Sequence, residues 1–218
     1  PDAQIAGLLD RLGIDMVFDI GANIGQHARE LRRMGYAGDI VSFEPLTSAH
    51  TALTAAASGD ARWTVAPRGA IGAEDAQTVI NIAGNSVSSS VLDMLDRHAD
   101  AAPDSRYTGQ EAVEIARLDS VSPRYLGAAT RLFLKIDTQG LEAAVLAGAP
   151  ATLARTSGIQ IELSLMPLYA GQALFEAVVA QLRAAGFDIW TLWPGFADAA
   201  TGRMLQVDAL FVRRDLVA

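Results

Sequence analysis

The sequence predicts an α/β fold, a mostly parallel sheet with helices on both faces. Three observations carry this. Short apolar runs alternate along the chain with helical patterns, the signature of βαβ units with right-handed crossovers. Most of the runs are apolar on consecutive positions, as strands are when both faces are covered. The last two runs, Phe187–Trp193 and Val207–Arg213, are joined through Pro194-Gly195 without a helix. That join sets one antiparallel strand at or near the edge of the sheet.

Taken in order, Ile5, Leu8, Leu9 and Leu12 form an i, i+3, i+4, i+7 stripe, and Gly13 caps that helix. Met16–Ile20 is the first strand, followed by a helix over Gln26–Met34 that ends at Gly35. Asp39–Glu44 is the second strand, and an alanine-rich helix over Thr47–Ala57 follows it. Ala61–Pro67 is the third. Residues 76–83 and 111–118 read as short strands that break the rhythm, separated by Gly84–Ser90 and a polar stretch through Gln110. The region 76–118 is therefore expected to be an insert or lid in a single domain spanning 1–218. Arg131–Asp137 is a very apolar strand, and Leu141–Leu153 is the helix after it. Gly158–Leu165 is the next strand. Leu174, Phe175, Val178, Val179 and Leu182 mark an amphipathic helix that stops at Gly186.

Half of the 218 residues are hydrophobic, enough for a sizeable core, and no apolar run approaches the roughly 20 residues of a membrane helix. Cysteine is absent, which removes disulfides, zinc–thiolate sites and thiol nucleophiles, and a cytoplasmic location is expected. The net charge of −8 disfavours a nucleic-acid partner, because phosphate neutralisation needs clustered positive charge. Lys135 is the only lysine.

The sharpest chemical feature is Asp19-Ile20-Gly21-Ala22-Asn23-Ile24-Gly25-Gln26, where a buried strand ends in an acid and a glycine turn opens into a helix. Gly21 allows a ligand close to the backbone, Gly25 allows tight helix–strand packing, and the free N–H groups of the helix start favour a negative group. The spacing is G-x-x-x-G rather than the G-x-G-x-x-G of dinucleotide sites. Asp19 beside the turn suits an ammonium group, so a ligand carrying ammonium and carboxylate fits. Glu44, in Phe43-Glu44-Pro45 at the next strand end, is placed to accept from two ribose hydroxyls.

Further along, Asp137 ends its strand at the carboxyl edge, where open α/β sheets bind ligands. Lys135 lies inside that strand and needs an ionic partner. Glu162 is an acid within an apolar strand, costly unless paired, and so a candidate site residue. His98, in the middle region, is a third candidate for the site. Tyr169 is either a substrate wall or ordinary packing. P-loop, H-E-x-x-H and G-x-S-x-G patterns are absent.

Together these pieces resemble the S-adenosylmethionine-dependent methyltransferases, and within them the FkbM family. The matching segments are DIGANIGQ at 19–26, FEP at 43–45, RLDS at 117–120, LKIDTQGLEAAVLAG at 134–148 and IELS at 161–164. The resemblance implies a Rossmann-like, seven-stranded sheet with the last strand antiparallel. It also implies methyl transfer to a hydroxyl of a small molecule such as a sugar or a polyketide-type natural product, in glycolipid, polysaccharide or polyketide acceptors. The cofactor positions it implies are Asp19, Gly21, Ala22, Asn23, Gly25, Glu44 and Asp137, with Gly69, Ala70 and Ile71 against the adenine. Many relatives read KIDVEG where this chain has Thr138-Gln139, so one acid is missing, which weakens a metal proposal. If a divalent metal is present, Asp137 and Glu162 are its ligands. For catalysis, Asp137 is the first candidate base and Glu162 the second, with His98 held in reserve.

Two rivals share the fold. One is an NAD-dependent oxidoreductase, which Glu44 suits but Asp19 and G-x-x-x-G do not. The other is a non-catalytic methyltransferase-like partner subunit, whose cofactor loop would be degraded, whereas this one is intact. A small hydroxylic acceptor is the expected partner, and a homodimer is left open.

Overall fold

A computed structural model describes residues 2–127 and 130–216, so Pro1 and positions 128, 129, 217 and 218 of the expected domain lie outside the described residues. The elements are α1 (Asp2–Arg11), β1 (Met16–Ile20), α2 (Gln26–Arg33), β2 (Asp39–Phe43), α3 (Thr47–Ala57), β3 (Trp63–Val65), β4 (Ala70–Gly72), β5 (Ala76–Ala83), α4 (Asp96–Ala101), β6 (Tyr107–Arg117), α5 (Leu118–Val121), β7 (Leu132–Ile136), α6 (Glu142–Ala147), α7 (Pro150–Leu153), β8 (Thr156–Ser164), α8 (Phe175–Ala184), β9 (Phe187–Pro194) and β10 (Gln206–Arg213).

Seven strands form the main sheet in the order β3-β2-β1-β7-β8-β10-β9. From β3 to β8 the neighbours are parallel. The final strand β10 is antiparallel to both β8 and β9. It lies one place in from the edge, because the helix-free join returns it between its predecessor and β8. The expected antiparallel strand is therefore near the edge and not on it.

Alternation along β1 divides the core. Met16, Phe18 and Ile20 pack with Leu132, Leu134 and Ile136 of β7 against α6 and α8. Val17 and Phe133 turn to the other face, where α1, α2 and α3 cover them through Leu9, Leu31 and Leu53. Both faces are thus apolar, which is why the strands read as continuous runs.

The expected helix 141–153 is two helices. Pro150 has no N–H for the ladder and instead begins α7, after the break at Gly148-Ala149. The expected insert contributes β5 and β6 to a second, three-stranded sheet, β4-β6-β5, in which β5 and β6 pair antiparallel and the third strand, β4, precedes residue 76. The polar stretch before Glu111 is strand, since β6 starts at Tyr107 and its outward positions carry the polar residues. Among the described residues, no helix is long and apolar enough to cross a membrane.

Candidate functional site

The carboxyl ends of β1, β2 and β7 open on a cavity of about 280 Å³. Its floor is the turn after β1. Gly21 has φ +80°, and a Cβ there would run into the carbonyl oxygen of Asp137. Only glycine lets the turn and the end of β7 approach so closely. Gly25 has φ +84° and caps α2, and a Cβ there would meet the Trp63 ring at 2.7 Å. Gly25 packs the helix and does not touch the cavity, whereas Gly21, Ala22 and Asn23 line it.

Glu44 lines the same cavity just beyond β2 and is 4% exposed. Its Oε2 accepts the Asn23 backbone N–H at 2.8 Å and its Oε1 accepts that of Leu46 at 2.9 Å. Burial pushes its carboxyl up to about 7, against the pull of those two N–H groups. An ionised carboxylate has about four lone-pair positions, so two remain for a ligand's hydroxyls. Gly69, Ala70 and Ile71 line the wall beside it, with Phe43, Pro45, Leu46 and Ile80 adding apolar surface.

Strand register explains the charged floor. Asp19 is paired with Ser42 on one side and Lys135 on the other, and Lys135 with Gln160, so one polar row crosses β2, β1, β7 and β8. Asp19 is wholly buried beneath the cavity. Its Oδ1 lies 3.6 Å from Lys135 Nζ and has no hydrogen-bond donor among the described residues, and Ser42 Oγ stands 3.5 Å from Oδ2. Lys135, not Asp19, reaches the cavity wall. Its ammonium is 3.2 Å from Asp137 Oδ2 and donates to the Gly21 carbonyl. Burial works against that charge, but Asp137 and Asp19 outweigh it and hold the lysine protonated.

Beyond β7, Asp137 faces the cavity. Gln139 donates its amide to Asp137 Oδ1 at 2.7 Å and to Glu162 Oε2 at 3.2 Å. Glu162 also takes a bond from Gln206 and stands opposite Asp208 on β10. Burial, then Asp137, Glu142 and Asp208, push the Glu162 carboxyl well above the usual range, with Lys135 opposing. Glu142 is itself raised by burial, although the N–H groups of Thr138 and Gly140 bond to it.

The segment 86–91 roofs the cavity. Asn23 Nδ2 donates to Ser86 Oγ at 3.2 Å, and Ser90 Oγ donates to the Gln139 carbonyl at 2.7 Å. The Tyr169 hydroxyl, buried behind the roof, reaches Gln139 Oε1 at 2.9 Å and the Ser88 carbonyl at 3.1 Å. His98 stacks edge-on against Tyr169 at 5.1 Å, and burial lowers its pKa.

Of the residues singled out from the sequence, Gly21, Ala22, Asn23, Glu44, Gly69, Ala70, Ile71 and Asp137 meet at one cavity. Asp19 and Gly25 support it from behind. Glu162 joins through Gln139, whereas His98 lies behind Tyr169 and away from the wall. Tyr169 is both packing and site, a buried ring whose hydroxyl ends on Gln139. Sequence reading missed the roof serines and the part played by Gln139. Only the position of Gln139 in the strand-end motif marked it. Among the described residues, no group of three or more His, Asp or Glu is arranged to hold a metal ion.

The sequence profile described as "Methyltransferase FkbM domain" matches residues 19–189. No curated protein matches the chain significantly in sequence. The fold is similar to Aeropyrum pernix fibrillarin, solved with natively bound S-adenosyl-L-methionine: TM-score 0.52, 10% identity, 91% of this chain and 66% of that one covered. It is also similar to the Methanococcus jannaschii fibrillarin pre-rRNA processing protein, at TM-score 0.52, 9% identity and coverage of 92% and 67%. TehB from Haemophilus influenzae gives TM-score 0.50, 8% identity and coverage of 96% and 61%. This chain therefore spans about two thirds of the length of those chains, and at such identities the likeness is one of fold.

Proposed function

The chain belongs to the FkbM methyltransferase family, an S-adenosylmethionine-dependent class, and on that premise we propose that it transfers the methyl group to a hydroxyl of a small molecule, a sugar or a natural product. The observation that carries the proposal is the meeting of Gly21, Glu44 and Asp137 at one cavity.

The residues present fit the cofactor. The Gly21 turn brings backbone against the ligand with no side chain between, and Glu44 keeps two acceptor positions for the ribose diol. Gly69, Ala70 and Ile71 offer a small, apolar wall to the adenine. Asp19 lies buried beneath the turn with its charge met by Lys135, so it supports the floor and does not itself hold the ammonium end. When bound, S-adenosylmethionine supplies an electrophilic methyl carbon.

An aliphatic hydroxyl is a poor nucleophile until its proton is taken. Of the two acids at the cavity wall, Glu44 is taken up by the ribose diol and Asp137 accepts that proton, with Glu162 behind it. Lys135 and Gln139 fix one Asp137 oxygen each, so the carboxylate is held in place before the acceptor arrives. Holding the acceptor oxygen aligned is worth roughly 7–11 kcal/mol in favourable systems. The net charge of −8 supports a small acceptor over nucleic acid.

Methyl-labelled S-adenosylmethionine offered with a panel of hydroxylated sugars and polyketides, their deoxy analogues and ribosomal RNA tests the proposal. Label in an ether of a hydroxylated compound, and none in its deoxy analogue, is the expected result. Label only in RNA or on nitrogen would refute it.

A further inference from the structure

We infer that Gln139 is a positioning residue whose side-chain amide bridges Asp137 and Glu162 and holds the two acids as a fixed pair at the acceptor end of the cavity. What the pair is used for rests on the methyltransferase reading; the bridge itself does not.

The donor count supports it. A glutamine NH₂ has two hydrogens and here faces two carboxylate oxygens, Asp137 Oδ1 at 2.7 Å and Glu162 Oε2 at 3.2 Å. Its carbonyl oxygen accepts from the Tyr169 hydroxyl at 2.9 Å. A flipped amide would turn its carbonyl toward both acids, so the network leaves one orientation. The backbone is fixed as well. Gln139 sits at φ +53°, and its own carbonyl accepts from Ser90 Oγ. Asp137 is gripped from its other side by Lys135 at 3.2 Å. Of the two acids, Asp137 faces the cavity and Glu162 does not, so Gln139 joins the reacting position to the acid behind it. A glutamate at 139 would instead set a fourth carboxylate among Asp137, Glu162 and Asp208.

Carboxyl-labelled NMR titration of Glu162 in the ligand-free protein is the test. The groups facing Glu162 are Asp137 beyond β7, Glu142 on α6, Asp208 on β10, Tyr169 after β8 and, of opposite charge, Lys135 on β7. Gln139→Asn tolerates the left-handed backbone but is one methylene too short to span both acids. Losing a charge-assisted donor raises the Glu162 midpoint by about one pH unit. Tyr169→Phe, which frees the Gln139 side-chain carbonyl and the Ser88 backbone carbonyl but leaves the amide donors in place, raises it less. A midpoint unmoved in either variant overturns the bridge, since a side chain that merely fills space would not answer to the tyrosine hydroxyl. The functional reading fails separately, through a wild-type protein that does not bind S-adenosylhomocysteine.

Discussion

Glu44 accepts the Asn23 backbone N–H at 2.8 Å, so the acid that follows β2 fixes the turn that follows β1. One carboxylate thereby joins the two halves of the proposed cofactor site before any ligand arrives. Glu44→Ala should weaken S-adenosylhomocysteine binding by roughly 1.5–3 kcal/mol, the range for hydrogen bonds to a charged group. Calorimetry checks this, and an unchanged affinity would place the ribose elsewhere. Two buried N–H groups also lose their acceptor, so the melting temperature should fall.

The raised Glu44 carboxyl gives a pH dependence. Its folded value of about 7 lies above the ordinary 4.5. Between those values the folded chain holds a proton that the unfolded chain has released. Stability from this group is therefore full below about 4.5 and is lost as pH rises toward 7. Denaturant melts should show Glu44→Gln gaining on wild type by about 3 kcal/mol across that window. A constant difference would contradict the shift. Ligand hydroxyls favour the ionised form, so S-adenosylhomocysteine affinity should increase from pH 6 to 8 in wild type alone.

Gly21→Ala should destabilise the protein by several kcal/mol, because the methyl group meets the Asp137 carbonyl and φ is +80°. Gly7→Ala is the contrast. Gly7 lies within α1 with nothing near its missing Cβ, and the change should stabilise by about 0.5–1 kcal/mol. Urea unfolding of the pair distinguishes a required glycine from a tolerated one.

Lys135→Met should cost about 3–5 kcal/mol, since it leaves Asp19 buried without its cation. Lys135→Met combined with Asp19→Asn should recover part of the loss. No recovery would show that the lysine stabilises through Asp137 alone.

Much of this was legible because both faces of the sheet are covered. β1 has the bounds that its apolar run gives, and the helix-free join after β9 foretells the antiparallel strand. Short elements left weaker traces. β4 is only Ala70–Gly72, and α4 is too short for a periodic pattern. The convergence of Gly21, Glu44 and Asp137 on one cavity was readable because glycine and acid positions at strand ends follow from backbone geometry. The network around Gln139 was not, because its contacts join distant segments. Gln139 meets Glu162, Tyr169 and Ser90 through tertiary packing, and nothing local announces those partners.

Asp137→Asn keeps the shape and removes the charge, so S-adenosylhomocysteine affinity should change little while turnover falls by about 10²–10⁴. Activity of the wild type should be indifferent to EDTA. Loss with EDTA, restored by Mg²⁺, would assign Asp137 to a metal instead.

The central claim is that the Gly21–Glu44–Asp137 cavity holds S-adenosylmethionine. Calorimetric titration of the wild-type protein with S-adenosylhomocysteine and, separately, with NADH tests it most directly. Saturable binding of S-adenosylhomocysteine, abolished or strongly weakened in Glu44→Ala, with no comparable binding of NADH, is the predicted result. Tight binding of NADH with no response to S-adenosylhomocysteine would contradict it.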